Sequence, residues 1–286
     1  MTIIFGLLSA FSYGYADFVG ALAAKRARAI AVTSISLTLG LFMALFLSQF
    51  VGANYSEAAV SAGIYAGVAS GIALACLYAA LALGPISIVS PLTAVVSAVI
   101  PVVVDVLSGQ ALGAFAMVAI VLVLIAVVLV AFVPGPDVRL PSLKALLYSL
   151  GAGFGFAGIF VFLDAAPSDS GLATLVVMRI VGIVLMLALL VVSFIKTKPA
   201  QFIEKELFSR SLFWLVLLAG LGDVTGNVFF LIATREGALA IAAVLTSLYP
   251  VGTILLARVF LKEKIALSQS IGIGLALIAC AILAVG

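Results

Sequence analysis

The chain has 286 residues, of which 66% are hydrophobic and 9% are charged, and it contains no histidine. Its mean hydropathy is +1.43. A soluble core has no use for that much apolar surface, whereas a bilayer does, because each spanning helix needs about 20 apolar residues. The net charge of +3 then reflects membrane topology, and we expect no nucleic-acid partner.

Apolar blocks separated by short connections recur along the whole chain and predict ten transmembrane helices. The blocks are solid apolar runs rather than the weak alternation of membrane β-strands. Helices satisfy their own backbone polar groups in lipid, so the sequence predicts an all-α polytopic membrane protein. The predicted spans are 2–24, 30–51, 58–83, 86–107, 111–133, 143–164, 171–195, 211–234, 238–260 and 266–285.

The basic residues predict the orientation of these helices. Twelve of the fourteen Lys and Arg residues lie in the connections that follow odd-numbered helices, and the exceptions are Arg179 and Arg235. By the positive-inside rule, the odd-numbered loops are cytoplasmic and both termini are periplasmic. We expect a multi-pass monomer in a bacterial inner membrane, whose partners are the lipid bilayer and a small-molecule substrate.

The chain divides into two five-helix halves, residues 1–133 and 142–286, joined by a linker at 134–141 that begins Pro-Gly-Pro. An odd number of spans per half inverts one half relative to the other. Internal similarity agrees, since Gly84–Thr93 aligns without gaps on Gly237–Thr246. Two inverted five-helix repeats around a central cavity are typical of secondary transporters, whose substrate site lies near the bilayer midplane.

A family resemblance follows from three segments of the second half. The run Leu248–Pro250, the run Arg258–Leu267 and the run Ser270–Gly274 resemble the end of an EamA-type repeat of the drug/metabolite transporter superfamily. Thr174–Arg179 resembles the arginine-bearing second helix of that repeat. The resemblance implies a ten-helix exporter of amino acids, other metabolites or drugs, and the chain is most similar to aromatic amino-acid exporters of the YddG type.

The first half departs from that repeat pattern. The loop after its fourth helix lacks the Phe-Leu-x-Glu sequence. Leu37 stands where the second half has Arg179, and Ser70 is the repeat equivalent of Asp223. The two copies are therefore chemically unequal.

Two opposite charges fall deep within predicted helices. Arg179 lies inside the seventh helix and Asp223 inside the eighth, with Asn227 one turn beyond Asp223 on the same face. A charge at the centre of a spanning helix costs at least about 2.5 to 3.5 kcal/mol, so each needs a reason. Arg179 and Asp223 form a structural ion pair, or Asp223 and Asn227 engage the polar end of a substrate, or these residues line water without a further role. We expect a structural Arg179 and an inward-facing Asn227.

Asp17 is a third acid within a span, and Tyr13 shares its helical face. An acid there binds an ammonium group, carries a proton, makes a helix-packing contact or meets cytoplasmic water, and the sequence leaves these alternatives open. Four charged residues near helix ends are expected to meet lipid headgroups. They are Asp105, Asp164, Arg235 and Glu236.

Aromatic residues recur at matching places in the first and sixth helices, including Phe11 and Tyr13 in one and Phe154 and Phe156 in the other. A tyrosine far from either interface usually has a polar partner or a wet cavity. An aromatic pocket with few polar groups suits an amphipathic organic solute, although helix packing or lipid contact is the alternative for each residue. The candidate substrate-binding residues are Tyr13, Asp17, Tyr78, Thr93, Phe156, Asp223, Asn227, Thr246 and Tyr249.

Prolines within the fourth and ninth helices are the candidate hinges. Pro91, Pro101 and Pro250 each remove a backbone hydrogen bond and kink a helix. We expect these helices to line the cavity and to bend during alternating access.

The sequence thus predicts a secondary transporter that exports amino acids, aromatic ones included, or similar amphipathic metabolites across the inner membrane. The alternative is a proton-coupled multidrug antiporter. An intramembrane enzyme is less favoured, because the chain has no histidine, two cysteines of packing type, and no lysine outside the loops. We expect no catalytic residue, no metal site and no cofactor.

Overall fold

The computed structural model describes residues 1–27, 29–84, 86–131, 141–196, 209–260 and 266–285. Most of the linker predicted at 134–141 therefore lies outside the described residues, as do several of the basic residues that predict orientation. Within the described ranges the chain is helical, with one 3₁₀ turn at Ser168–Ser170 and an isolated bridge between Ala53 and Gly171. The helices are α1 (Thr2–Ala24), α2 (Ala29–Val51), α3 (Glu57–Leu83), α4 (Ile86–Leu107), α5 (Ala114–Ala131), α6 (Leu143–Asp164), α7 (Ala173–Lys196), α8 (Arg210–Arg235), α9 (Leu239–Thr246), α10 (Tyr249–Phe260) and α11 (Leu267–Val285).

Eight spans in the described ranges are long and apolar enough to cross a membrane. One of them, Leu239–Phe260, contains both α9 and α10. Shorter apolar stretches at Ala114–Val130 and Leu267–Leu283 lie in α5 and α11. A helix of about 20 residues covers the roughly 30 Å hydrocarbon core at 1.5 Å per residue. The prediction of an all-α polytopic membrane protein with ten apolar spans is confirmed.

Serine side chains fix the beginning of three spans. Ser56, Ser142 and Ser209 precede α3, α6 and α8, and each accepts a 3.2 Å hydrogen bond from the backbone N–H three residues ahead. Such a cap satisfies one of the backbone donors that the first turn of a helix leaves free.

The helices pack into two layers. In the first layer, α1 packs against α8 and α10, and α2 packs against α8. In the second layer, α6 packs against α3 and α4, and α7 packs against α3. The contacts of α2 with α7, and of α4 with α9, join the two layers, and α5 packs beside α11. In this arrangement α1 and α8 face α3 and α6, and the boundary between these two pairs of helices lies at the centre of the bundle.

The contact between α2 and α7 makes the relation between the two halves visible at atomic scale. A Cβ atom at Gly40 of α2 would lie 3.4 Å from the guanidinium carbon of Arg179 on α7. Reciprocally, a Cβ atom at Gly182 of α7 would lie 3.3 Å from Leu37 on α2. Each helix thus offers a glycine to the other helix's residue at the same repeat position, as inverted repeats require.

The ninth predicted span, 238–260, is present as the apolar span Leu239–Phe260, and it is interrupted just before Pro250, where the sequence predicts a kink. The span breaks between α9 and α10, at Ser247 and Leu248. Pro250 has no N–H to bond the carbonyl of Thr246, so the helical hydrogen bonding is interrupted at this turn. Across the break the backbone makes hydrogen bonds to the residue three positions earlier, from Leu248 N to Leu245 O at 3.1 Å and from Val251 N to Leu248 O at 2.9 Å. Tyr249, expected in mid-helix, instead begins α10.

The expectation that charged residues near helix ends meet headgroups is wrong for Asp105. Its side chain is buried, and its Oδ2 accepts a 2.7 Å hydrogen bond from the backbone N–H of Ala240. It therefore caps the start of α9. Arg235 also has protein partners, since its Nη2 donates to Ser170 Oγ at 3.1 Å and to Gly171 O at 3.0 Å.

Candidate functional site

An ion pair crosses the middle of the bundle. Arg179 Nη1 of α7 lies 2.5 Å from Asp223 Oδ2 of α8, and both side chains are buried. Because α2 packs against both α7 and α8, the guanidinium reaches Asp223 past α2, where Gly40 leaves room for it. The pair thus joins the second layer to the first layer. Breaking one partner of such a pair leaves an uncompensated buried charge.

Glycines bring α1 close to α8 at the level of this pair. A Cβ atom at Gly226 would lie 3.0 Å from the ring of Tyr13, and one at Gly222 would lie 3.1 Å from Ala16. Asn227, on the next turn, donates from Nδ2 to the carbonyl of Asp223 at 2.8 Å, while its Oδ1 has no hydrogen-bond partner in the described structure.

Asp17 lies in a second polar group, at the junction of α1, α4 and α10. Ser90 Oγ of α4 donates to Asp17 Oδ2 at 2.9 Å, and the Tyr249 hydroxyl donates to the Ser90 carbonyl at 3.2 Å. Thr253 Oγ1, one turn into α10, donates to Gly14 O of α1 at 3.1 Å. Within the described ranges, the Asp17 carboxylate has a neutral donor but no cation in contact.

An aromatic cluster lies between the ion pair and Asp17. The ring centroid of Tyr13 is 5.9 Å from that of Phe156, 6.3 Å from Phe160 and 6.4 Å from Tyr249. Phe160 in turn stacks on Phe230 of α8 at 4.3 Å. Tyr13 is close enough to interact electrostatically with Asp17, Arg179 and Asp223. We refer to Tyr13, Phe156, Phe160 and Tyr249 as the aromatic cluster.

Tyr78 and the two threonines differ in how far their hydroxyls are engaged. The Tyr78 ring packs on Gly20, where a Cβ atom would meet it at 2.5 Å, and its side chain lies near Ser36. Thr93 Oγ1 donates to Val89 O at 3.0 Å and to Ser149 O at 3.2 Å. Thr246 Oγ1 is buried with no hydrogen-bond partner in the described structure.

Polar atoms of several other candidate residues are also buried without a partner among the residues that the structure describes. The buried side-chain atoms without a hydrogen-bond partner in the described ranges include Tyr13 Oη, Asn227 Oδ1, Thr246 Oγ1, and Arg179 Nε and Nη2. A buried polar group without a partner costs about 1 to 3 kcal/mol. Each of the nine candidate substrate-binding residues is no more than 4% exposed. The site is therefore closed, and it holds unused donors and acceptors.

Not every residue of the predicted aromatic set is part of the site. Phe11 and Phe154, at matching positions of α1 and α6, are 60% and 63% exposed and face outward. Phe11 lines a separate apolar cavity of about 190 Å³ between α1, α10 and α11, together with Gly252 and Cys280. Tyr13 and Phe156, two residues further along each helix, point inward.

The candidate hinges differ in position. Pro91 and Pro101 lie inside α4, which continues from Ile86 to Leu107. Pro250 is the second residue of α10, next to the break. In the described part of the chain, no three His, Cys, Asp or Glu side chains are placed to hold a metal ion.

Sequence reasoning missed four residues of this site. Ser90 lies one turn before the candidate Thr93, in the segment that aligns with the ninth span, so the sequence could have indicated it. Phe160 aligns with Asp17 when Phe11 is matched to Phe154, which was also visible. Phe230 and Gly40 carry no sequence signal of their own, because their roles depend on which helices meet.

Residues 143–285, half of the chain, match the model of the EamA-like transporter family. A protein of known crystal structure superposes on this chain with a TM-score of 0.74, covering 99% of this chain and 96% of its own at 14% sequence identity. That likeness concerns the fold alone. Curated protein sequences gave no significant match.

Proposed function

The chain belongs to the EamA-like transporter family, and on that premise we propose that it exports amino acids, aromatic ones included, or similar amphipathic metabolites by alternating access. Membership of the family makes it a membrane transporter of small molecules. The amino-acid substrate, the direction of transport and the resemblance to YddG-type exporters are parts of the proposal.

One observation carries the proposal. The aromatic cluster lies between α1 and α6. In the described structure, its Tyr13 hydroxyl and atoms of Arg179, Asn227 and Thr246 on α7, α8 and α9 are buried without hydrogen-bond partners. Binding pockets for organic solutes are mostly apolar or aromatic with a few convergent polar groups. An aromatic amino acid offers a ring for the cluster and two charged groups for the polar atoms.

The charges around the cluster suit a zwitterion. Asp17 has no cation in contact among the described residues, so it is the natural partner for a substrate ammonium group. Arg179 keeps Nε–H and Nη2–H donors beyond its bond to Asp223, and these match a carboxylate. A zwitterion bound between them neutralises itself, which limits the cost of carrying charge through the membrane.

In this proposal the two layers supply the moving parts. The site lies where α1 and α8 face α3 and α6, and α4 and the broken ninth span connect the layers. Rocking of one layer against the other exposes the site to either side in turn. Pro91, Pro101 and the break before Pro250 are the proposed points of bending.

The same proposal includes the organisation of the chain. Residues 1–133 and 142–286 form the two repeats, and the protein works as a monomer in the bacterial inner membrane. The termini are periplasmic and the odd-numbered loops are cytoplasmic. The distribution of Lys and Arg supports this orientation.

A second candidate function, proton-coupled multidrug antiport, is favoured by one feature. Asp17 is a buried carboxylate that accepts from Ser90, a neutral donor. A carboxylate in that setting binds either a proton or an organic cation. The two candidates differ in whether a zwitterion or a cation is carried, and in whether a pH gradient drives it.

Uptake into proteoliposomes that hold the purified protein tests the proposal. The panel contains L-phenylalanine, L-leucine, L-threonine and two cationic drugs, each with and without an imposed pH gradient. We expect uptake of amino acids, strongest for the aromatic one. Uptake restricted to the drugs and following the pH gradient would instead support the antiporter, and no uptake of any solute would reject both.

A further inference from the structure

The break in the ninth span is held by α4 on both sides. Before the break, Asp105 of α4 accepts from the first turn of α9 at Ala240 N, 2.7 Å away. After the break, the Ser90 carbonyl of α4 accepts from the Tyr249 hydroxyl at 3.2 Å. These two hydrogen bonds lie near opposite ends of α4, so α4 contacts the ninth span on both sides of the break.

Ser90 makes a second contact through its side chain. While its carbonyl accepts from Tyr249, its hydroxyl donates to Asp17 of α1 at 2.9 Å. One buried residue therefore connects the acid on α1 with the first residue of α10. Pro91, which follows Ser90, contributes no backbone N–H, so this turn of α4 has one helical bond fewer to resist movement.

Groups from every neighbouring element surround the Asp17 carboxylate. Ser90 faces it from α4, and Tyr78, Asp223 and Tyr249 interact with it electrostatically from α3, α8 and α10. Apart from Asp223, which Arg179 already neutralises, these groups are neutral. A substrate ammonium group therefore has one uncompensated acid to approach, and reaching it means competing with the Ser90 hydroxyl.

We propose that Ser90 is a positioning residue that couples substrate binding at Asp17 to opening at the break between α9 and α10. The ammonium group of the substrate takes the place of the Ser90 hydroxyl at the carboxylate. The first turns of α4 then move at Pro91, and the bond between the Ser90 carbonyl and Tyr249 is released. This coupling rests on the proposed amino-acid substrate only for the identity of the ligand that triggers it.

Distances between spin labels test the coupling. The labels replace Val259 near the end of α10 and Leu147 near the start of α6, which are 68% and 58% exposed. Both native cysteines, Cys76 and Cys280, are replaced by alanine beforehand. A second pair at Tyr65 and Leu147, on α3 and α6 of the same layer, serves as the reference that should stay unchanged.

Without ligand, we expect one main distance between Val259 and Leu147 in the protein with native Ser90. Ser90→Ala should raise the population at a second, longer distance, relative to the population at the main distance, by at least about tenfold. The reason is that a hydrogen bond to a charged group is lost. Tyr249→Phe, which removes the other end of the coupling, should populate the same second distance. Ser90→Thr keeps the hydroxyl and should restore the original distribution.

Ser97→Ala is the matched control, because Ser97 is buried on the same helix and its hydroxyl donates to Ala94 O in that helix at 3.0 Å. It should leave both distances unchanged. If Ser90→Ala and Tyr249→Phe kept the original distribution, or if Ser97→Ala shifted it equally, the coupling would be refuted. Should Ser90→Ala fail to fold, Tyr249→Phe decides the question alone.

Ligands separate failure of the coupling from failure of the proposed substrate. L-phenylalanine should populate the longer distance in the protein with native Ser90, whereas 3-phenylpropanoate, which lacks the ammonium group, should not. An equal effect of both ligands would overturn the role of the ammonium group in the coupling. If L-phenylalanine had no effect while Ser90→Ala opened the pair, the substrate would be wrong and the connection through Ser90 would stand.

Discussion

The two halves of the chain share a backbone plan but differ in where they place charge. In the second half, Arg179 and Asp223 neutralise each other at 2.5 Å. At the same repeat positions the first half has Leu37 and Ser70, both buried and uncharged. The first half has two buried acids, of which Asp105 accepts from the backbone of α9. The other, Asp17, has no cation beside it in the described structure and aligns with Phe160 of the second half.

We propose that this difference separates a structural role from a binding role. A charge pair that is satisfied within the protein holds α7 and α8 in register and offers little to a ligand beyond the unused donors of Arg179. An acid without a cation is costly in the closed protein and gains most from a cationic ligand. We therefore assign the folding role to the second half's pair and the ammonium site to the first half's acid.

The largest effect is expected when the ion pair of the second half is replaced by the uncharged residues found at the equivalent positions of the first half. Arg179→Leu or Asp223→Ser alone should destabilise the protein by about 3 to 5 kcal/mol, because each leaves a buried charge unpaired. The double variant should recover most of the loss. Thermal unfolding in detergent measures this, with the exposed Arg26→Ser as control.

A double variant no more stable than either single variant would contradict a structural pair. A single variant with normal stability and lost transport would move Asp223 to the binding role.

Asp17→Asn removes the first half's charge while keeping its shape. We expect KM for an amino acid to rise by about tenfold or more, since a charge-assisted hydrogen bond contributes about 1.5 to 3 kcal/mol. Stability should be unchanged or higher, because a buried unpaired acid is lost. Uptake kinetics and the unfolding temperature, measured on the same preparation, separate the two effects. Unaltered KM would remove Asp17 from the site.

Gly20→Ala tests whether α1 also positions Tyr78. A Cβ atom there would meet the Tyr78 ring at 2.5 Å, so we expect a loss of about 1 to 3 kcal/mol from overpacking and slower transport. Gly274→Ala is the matched control, because a Cβ atom at Gly274 would have no neighbour within 4 Å. Equal behaviour of the two variants would mean that Tyr78 has room to move.

The smallest effects on stability and transport are expected when valine replaces each of the two threonines at equivalent repeat positions. Thr93→Val removes hydrogen bonds to Val89 and Ser149 and should cost about 1 kcal/mol of stability. Thr246→Val removes a hydroxyl without a partner in the described structure, so stability should hold while transport slows. Unfolding temperature and uptake rate are measured for both. A reversed pattern would place the binding role of this pair in the first half.

The sequence predicts the helices of this fold well because hydrophobic length alone defines a spanning helix. The ten predicted spans match the observed ones to within a few residues, and the ninth is interrupted inside because Pro250 leaves Thr246 without its helical partner. Internal similarity also indicates the inequality between Leu37 and Arg179.

Contacts between helices are harder to predict. That Arg179 reaches Asp223 past Gly40, or that Asp105 caps α9, depends on helix neighbours that no spacing along the chain specifies. Ser90 has an ordinary sequence context and becomes notable only because Asp17 and Tyr249 meet it from two other helices.

Competition for transport by three related ligands tests the assignment of Asp17 to the ammonium end of a zwitterionic substrate. Uptake of labelled L-phenylalanine into proteoliposomes is measured against unlabelled L-phenylalanine, phenethylamine and 3-phenylpropanoate, in wild type and in Asp17→Asn. We expect L-phenylalanine to compete best, and Asp17→Asn to weaken phenethylamine while sparing 3-phenylpropanoate. Equal weakening of all three ligands by Asp17→Asn, or an unchanged order and strength, would contradict the ammonium site at Asp17.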